Sequence, residues 1–474
     1  MVVGDISTGT EVLVIGAGPG GYVAAIRAAQ LGLDTTLVER DAYGGVCLNR
    51  GCIPSKALIT AADTAHGAAH AEEMGIHADP AVDMKGMQSW KNGVVDQLTG
   101  GVEKLCKANG VNLVEGTAEF DGKGRVRVAH GGDGQGSETI EYEHAIIATG
   151  SRPIQIPGFK FDGEHVLSSK DALDLDSVPE ELVVVGAGYI GMELSTTYAK
   201  LGCDVTVVEM LDGALPGYED DIARVVRERA EELGVEFHFG EGASEWETHG
   251  EGVRVTTETD DGEASTYAAD KVLVAVGRTP VTDTLGLDAI DLEPDEDGFL
   301  ATDEFGETDA ENVYAVGDVA GEPMLAHKAS AEGEVVAEHI AGEPVAMDFQ
   351  AIPAAVFTDP EIGTVGMTEA DAEEAGFDPV VGQMPMNASG RALTLAETEG
   401  FVRVVADEET GFLLGAQVVA PEASELIAEL ALAVEMGATL EDVGRTIHTH
   451  PTLSEAVMEA VKNAQGHAIH TLNR

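Results

Sequence analysis

Two eleven-residue stretches, EVLVIGAGPGG from Glu11 to Gly21 and ELVVVGAGYIG from Glu181 to Gly191, follow one plan. They restrict the fold more than any other feature of the chain. Each is an apolar run of strand character entering a glycine turn. Each then leads into a helix-forming segment, YVAAIRAAQLG or MELSTTYAKLG. The glycines at the first, third and sixth positions have separate tasks. Gly16 and Gly186 allow the tight turn, and Gly18 and Gly188 leave the backbone open to a pyrophosphate. Gly21 and Gly191 let helix and strand pack closely. The free N–H groups and positive dipole end of the following helix suit phosphate oxygens. In both copies an acid ends a second β-run 23 residues after the first glycine, Glu39 in TTLVER and Glu209 in VTVVEM. A carboxylate there accepts hydrogen bonds from an adenosine ribose 2′-hydroxyl. One such pattern is weak, but two at one spacing predict two dinucleotide-binding units.

The rest of the chain is arranged around this repeat. EHAIIATGSRP (Glu143 to Pro153) and DKVLVAVGRTP (Asp270 to Pro280) are matching strands that close the first and second units. The turn signals HGGDGQGS and ETDDGEAS precede them. A third strand of this kind, NVYAVGDVA (Asn312 to Ala320), has no glycine motif upstream. The second unit is therefore expected to be inserted in the first, which resumes near Pro280. From about Phe349 the pattern becomes a strand pair, FVRVVADEETGFLLGAQVV, and an amphipathic helix, EASELIAELALAVEMG. The expected class is α/β, with two Rossmann-like units and a C-terminal α+β domain. The divisions fall at 1–152, 153–279, 280–348 and 349–474.

The 474 residues carry 27 Lys plus Arg against 85 Asp plus Glu, a formal charge of −58 spread along the chain. Such acidity argues against nucleic-acid phosphates and anionic lipid as partners. Self-repulsion on this scale destabilises a compact state in dilute buffer. It largely vanishes where salt shortens the Debye length to about 3 Å. The composition therefore predicts a salt-adapted protein. No segment has the length and apolarity of a membrane helix, and the N-terminus lacks a basic signal region. A cytoplasmic location is expected.

Two of only four cysteines, Cys47 and Cys52, lie in GGVCLNRGCIPSKAL. A zinc site, a structural staple and a redox pair compete to explain them. No second Cys-x2-Cys or matching His pair lies nearby, and nothing points to an oxidising compartment. Those absences favour the redox reading. Pro54 suits the first turn of a helix, whose N-terminus favours a thiolate at Cys52. Cys106 and Cys203 sit singly in apolar segments and are expected to be buried.

With both glycine motifs, AVGD and HTHPTLSE (His448 to Glu455), this cysteine segment resembles the flavin-dependent disulfide reductases of the pyridine nucleotide-disulfide oxidoreductase family. The likeness covers essentially the whole chain and is strongest to the branch that oxidises dihydrolipoyl groups. It implies one non-covalent FAD per subunit, held by the first unit. Glu39 would meet the adenosine ribose and Asp318 the ribityl side, with backbone around Ala118, Thr149, Gly150, Ser151 and around Met324, Ala326 and His327 of MLAH lining the cofactor. NAD would lie on the second unit, against Gly186 to Gly191, Glu209, Ala243 and Gly277. Lys56 would sit near the flavin and pair with Glu193, and Tyr189 would cover the ring until nicotinamide displaces it. Cys52 would form the charge-transfer thiolate and Cys47 would exchange with substrate. His450, oriented by Glu455, would be the general base for the other subunit of a homodimer. Imidazole titrates near neutrality, so it can take and return a thiol proton.

The resemblance implies oxidation of dihydrolipoamide, or of lipoyl-carrying proteins of a 2-oxoacid dehydrogenase or glycine cleavage system, by NAD. A glutathione-type reductase is disfavoured by Glu209, which repels a 2′-phosphate. A mercuric reductase is disfavoured by the cysteine-free tail NAQGHAIHTLNR, and a docking subunit without turnover has no need of these side chains. No lipoyl-carrying domain is expected ahead of the first motif. Val46 and Arg50 depart from the commonest pattern, and Arg50 brings a cation to the cysteine loop.

Overall fold

In the computed structural model, which describes residues 6–131 and 136–473, the run Val12–Ile15 is buried on both faces. That is why it reads as continuous apolar sequence rather than as an alternation. It belongs to strand Ile6–Ile15, flanked in parallel by Thr35–Glu39 and Ser137–Ile147, with Asn112–Glu115 beyond Thr35–Glu39. The free edge of Ser137–Ile147 is shared by two segments. Its first half pairs with Arg125–Ala129, which continues antiparallel to Thr117–Phe120. Its last residues pair in parallel with Val313–Ala315. The expected hairpin is thus flanked by Ala129 opposite Ser137. Residues 132–135 of its turn lie outside the described residues.

The second unit repeats the parallel layout, in the order Glu236–Phe239, Asp204–Glu209, Glu181–Val185, Lys271–Val274 and Val166–Leu167. An antiparallel meander, Glu241–His249, Gly252–Thr259 and Ala264–Ala269, precedes its closing strand. The ETDDGEAS turn closes where Gly262 N–H donates to the Thr259 carbonyl at 2.9 Å. The chain leaves the first sheet along Ser151–Pro153 and returns along Arg278–Pro280, and these two short strands pair antiparallel. The return of Val313–Ala315 to the first sheet completes an insertion, as the sequence pattern implied.

The C-terminal sheet is antiparallel, in the order Ala354–Val356, Glu361–Gly366, Leu413–Ala420, Phe401–Asp407 and Pro379–Pro385. Helices Ala423–Glu435 and Glu455–Ala464 pack on it, and every residue of Phe401–Asp407 is buried. Leu432, Met436 and Ile447 stand out of this unit into solvent. One apolar core joins all three units, running from Leu58 through Val184 and Leu273 to Val356 and Phe401. It fixes the cysteine helix against the second glycine-motif helix.

Candidate active site

The two glycine turns are near copies in three dimensions. Gly16 and Gly186 both take φ +103°, in the left-handed region. A Cβ on Gly16 would lie 2.4 Å from the Ala148 carbonyl oxygen, and one on Gly186 would lie 2.6 Å from that of Ala275. A Cβ on Gly21 or Gly191 would strike the carbonyl of the first glycine at 1.8 or 2.0 Å. Gly18 and Gly188 face open space. The two acids brace these turns. Glu39 accepts from Ala17 N–H at 2.7 Å and Asp41 N–H at 2.8 Å. Glu209 accepts from Ala187 N–H at 2.7 Å and Leu211 N–H at 2.9 Å. A carboxylate has about four acceptor positions, so each retains capacity for a ribose hydroxyl.

A cavity of about 1010 Å³ opens beside the first turn. Gly16, Gly18, Glu39 and Ala118 line one end, and Thr149, Gly150, Ser151, Asp318, Met324 and Ala326 line its length. Gly21 lies inside the turn rather than on the wall. His327 is also off the wall, with Nε2 2.6 Å from the Pro353 carbonyl. The closing strands brace one another here. Ser151 Oγ donates to Asp318, and Arg278 donates to Ser151 Oγ at 2.8 Å and to its carbonyl at 2.7 Å. Arg278 was not singled out from the sequence, although the paired exits GSRP and GRTP carried the signal. An open glycine, a helix N-terminus, a ribose-side acid and this volume together fit FAD.

Cys47 lies in the short helix Gly45–Arg50, and Cys52 is the first residue of helix Cys52–Ala69. Both line the cavity as free thiols. Its interaction with Cys52, together with burial, pushes the Cys47 thiol up. The same interaction, aided by the Lys56 ammonium and opposed by burial, lowers Cys52 to about 7. Lys56 Nζ is 2.8 and 3.0 Å from the Glu193 carboxylate and 4.3 Å above the Phe357 ring. Glu193, only 5% exposed, also accepts from Phe357 N–H at 2.9 Å. Arg50 pairs instead with Asp41, so the cation acting on the thiols is Lys56.

A Lys56→Met change is therefore expected to raise the Cys52 pKa from about 7. In the reduced protein, the pH midpoint for iodoacetamide alkylation should move upward and the rate at pH 7 should fall. An unchanged midpoint would remove Lys56 from the thiolate environment.

Helix Tyr189–Lys200 follows the second turn. Tyr189 and Glu193 reach the cavity wall, whereas Gly186, Gly188, Gly191, Glu209, Ala243 and Gly277 lie beyond it, around the second unit's own turn. Tyr189 thus stands between the cavity and the second turn, and burial raises its phenol to about 12, keeping it neutral. The residues after Glu209 are apolar and exposed, Met210 at 71%, and offer no cation to a 2′-phosphate. NADPH is accordingly expected to serve at least about a hundredfold less efficiently than NADH in kcat/KM, a ratio that steady-state assays read directly.

His450 stands apart, with its side chain 81% exposed and off the cavity wall. Its Nδ1 is 3.0 and 3.2 Å from the Glu455 oxygens, and Glu455 also accepts from Thr452 N–H at 2.9 Å. The Thr452 N–H and then His450 hold Glu455 below the usual carboxylate range. The neighbouring His448 is buried and paired with Glu429 at 2.8 Å. Within one chain the His–Glu pair and the dithiol are not brought together.

A thiol couple facing a cavity shaped for one dinucleotide, with a second dinucleotide turn behind its far wall, defines a class of oxidoreductase that moves electrons between sulfur and a pyridine nucleotide. The chain belongs to the pyridine nucleotide-disulphide oxidoreductase family, whose model matches residues 10–333 and whose dimerisation-domain model matches residues 352–461. It is 75% identical over 475 residues to "Dihydrolipoyl dehydrogenase" of Haloferax volcanii and 71% identical over 474 residues to the protein of that name from Halobacterium salinarum. All of both chains is covered in each case. A crystal structure of LpdA from Mycobacterium tuberculosis is similar with a TM-score of 0.89 at 30% identity, covering 96% of this chain and 99% of that one. The haloarchaeal sources fit the salt-adapted reading of the charge. Family membership brings FAD and NAD(H) as the two carriers. Among the described residues no helix is long and apolar enough to cross a membrane.

Proposed function

We propose that this chain oxidises dihydrolipoyl groups with NAD in the cytoplasm, as a homodimer, through the Cys47–Cys52 couple. The observation that carries the reading is a pair of cysteines that line one cavity together with Lys56, whose ammonium Glu193 holds at 2.8 Å. The names of the haloarchaeal relatives give the substrate class.

In the oxidised couple, a substrate thiol loses its proton to His450 and attacks Cys47 Sγ. The Cys47–Cys52 bond breaks, and Cys52 leaves as the thiolate that its surroundings favour. The second substrate thiol then attacks the mixed disulfide, closing the lipoyl ring and releasing Cys47. Two electrons have passed from substrate to the pair, and the protons leave through His450. Bound FAD supplies the two-electron acceptor between this dithiol and NAD. Glu455 keeps the imidazole oriented with Nε2 free to meet the thiol. Lys56 and Glu193 hold one wall, and Tyr189 covers the boundary with the second turn.

The dimer is supported by the match to a dimerisation domain, by the exposed Leu432, Met436 and Ile447, and by a His–Glu pair that has no dithiol within its own chain. The partners would be free dihydrolipoamide or lipoyl-carrying proteins of a 2-oxoacid dehydrogenase or glycine cleavage system. We assign residues 1–152 and 280–348 to the FAD domain, 153–279 to the NAD domain and 349–474 to the interface domain.

The test is an assay of purified protein in high salt, with dihydrolipoamide and NAD in one arm and oxidised glutathione and NADPH in the other. Turnover in the first arm is expected; turnover confined to the second would reject this function.

A further inference from the structure

In a chain with 27 cationic and 85 acidic side chains, the large cavity reverses the balance. Arg40, Arg50, Lys56, Arg152, Lys170 and Arg278 line it, against the acids Glu39, Asp41, Glu193 and Asp318. Several of these cations are occupied by other groups. Lys56 is held by Glu193, Arg152 by both oxygens of Asp283, and Arg278 by Ser151. Arg50 is only partly occupied. One terminal nitrogen meets Asp41, while its Nε is shut off from solvent and has no hydrogen-bond partner. The Arg50 side chain also lines the cavity, so its guanidinium has donor capacity left for an acceptor that enters there.

The position of Arg50 indicates which acceptor. Its helix, Gly45–Arg50, is seated on the first glycine turn. Gly44 N–H donates to the Ala17 carbonyl at 2.8 Å, and a Cβ on Gly45 would lie 2.6 Å from Gly18 Cα. At the other end, Arg50 reaches Asp41, whose N–H is bound by Glu39. Arg50 therefore spans the interval between the phosphate turn and the ribose-side acid. It does not act on the thiols, where Lys56 is the cation.

We propose that Arg50 is a further cofactor-binding residue, donating from its guanidinium to a phosphate oxygen of FAD, with Asp41 holding the guanidinium in place. Arginine suits this task because its planar fork engages a carboxylate and a phosphate at once. The inference rests on the chain's use of FAD and not on its sulfur substrate.

The test titrates full-length apoprotein, prepared in high salt, with FAD and separately with riboflavin, reading flavin fluorescence. The parent, Arg50→Val and Arg50→Lys proteins are compared, with circular dichroism confirming the fold. Arg50→Val is expected to weaken FAD at least about tenfold, Arg50→Lys to recover part of the loss, and riboflavin, which has no phosphate, to bind all three alike. Equal FAD affinity in parent and Arg50→Val would overturn the proposal. So would an equal loss of riboflavin, which would mean that Arg50 merely supports the helix. Neither result bears on dihydrolipoamide turnover, so the two readings fail separately.

Discussion

A Cys47→Ser protein is expected to lose turnover of dihydrolipoamide with NAD by at least about a thousandfold while retaining bound flavin. Two features make the loss large. Serine cannot form the disulfide that the substrate thiolate attacks, and no other thiol is available as a substitute. Cys106 and Cys203 are fully or almost fully buried in apolar cores, and burial pushes their thiols up to about 11 and about 12. The cavity itself should persist. Cys47 contributes one wall position among many, and the glycine turn, Glu39 and the Ser151–Asp318 contact do not depend on it. The variant has a second signature. Cys52 owes its lowering first to its side-chain interaction with Cys47, with Lys56 as a separate cause. A hydroxyl at 47 still donates, so Cys52 should remain a reactive thiolate near neutral pH. Rapid alkylation of Cys52, retained yellow colour and lost turnover would together support the exchange role. Retained turnover would exclude it.

What the sequence discloses and what it hides differ in kind. The two glycine turns were legible because each glycine meets a backbone restriction imposed within a few residues, as the near-identical geometry of Gly16 and Gly186 shows. The insertion was legible because two closing strands with the same exit, ending at Pro153 and Pro280, imply a chain that leaves and returns, and those exits pair. The Lys56–Glu193 contact joins positions 137 apart and came only from family likeness; no local pattern announces it. Arg278 on Ser151 and Phe357 on Glu193 were missed for the same reason, being tertiary contacts made by residues of ordinary local character. The acidity spoke of solvent, and it concealed a cavity whose own lining is weighted toward cations.

Replacing His450 with Gln is expected to lower dihydrolipoamide oxidation by about 10² to 10⁴-fold, the usual contribution of a positioned general base. The amide introduced by His450→Gln can neither take nor return the substrate proton. Glu455→Gln should also lower activity, because Thr452 N–H and the His ring now use different oxygens, one of which becomes an amide donor, and the imidazolium loses its counter-charge. The exposed, dithiol-free position of His450 permits a stricter test. If each active site joins the cysteines of one subunit to the histidine of its partner, mixed dimers of Cys47→Ser and His450→Gln chains contain one intact site and one doubly impaired site. Random reassortment makes about half of the dimers mixed, so two nearly inactive preparations should regain roughly a quarter of parental activity. If both groups acted within one chain, every site in the mixture would still lack one of them, and remixing would restore nothing. The result separates a shared site from a private one without reference to any substrate complex.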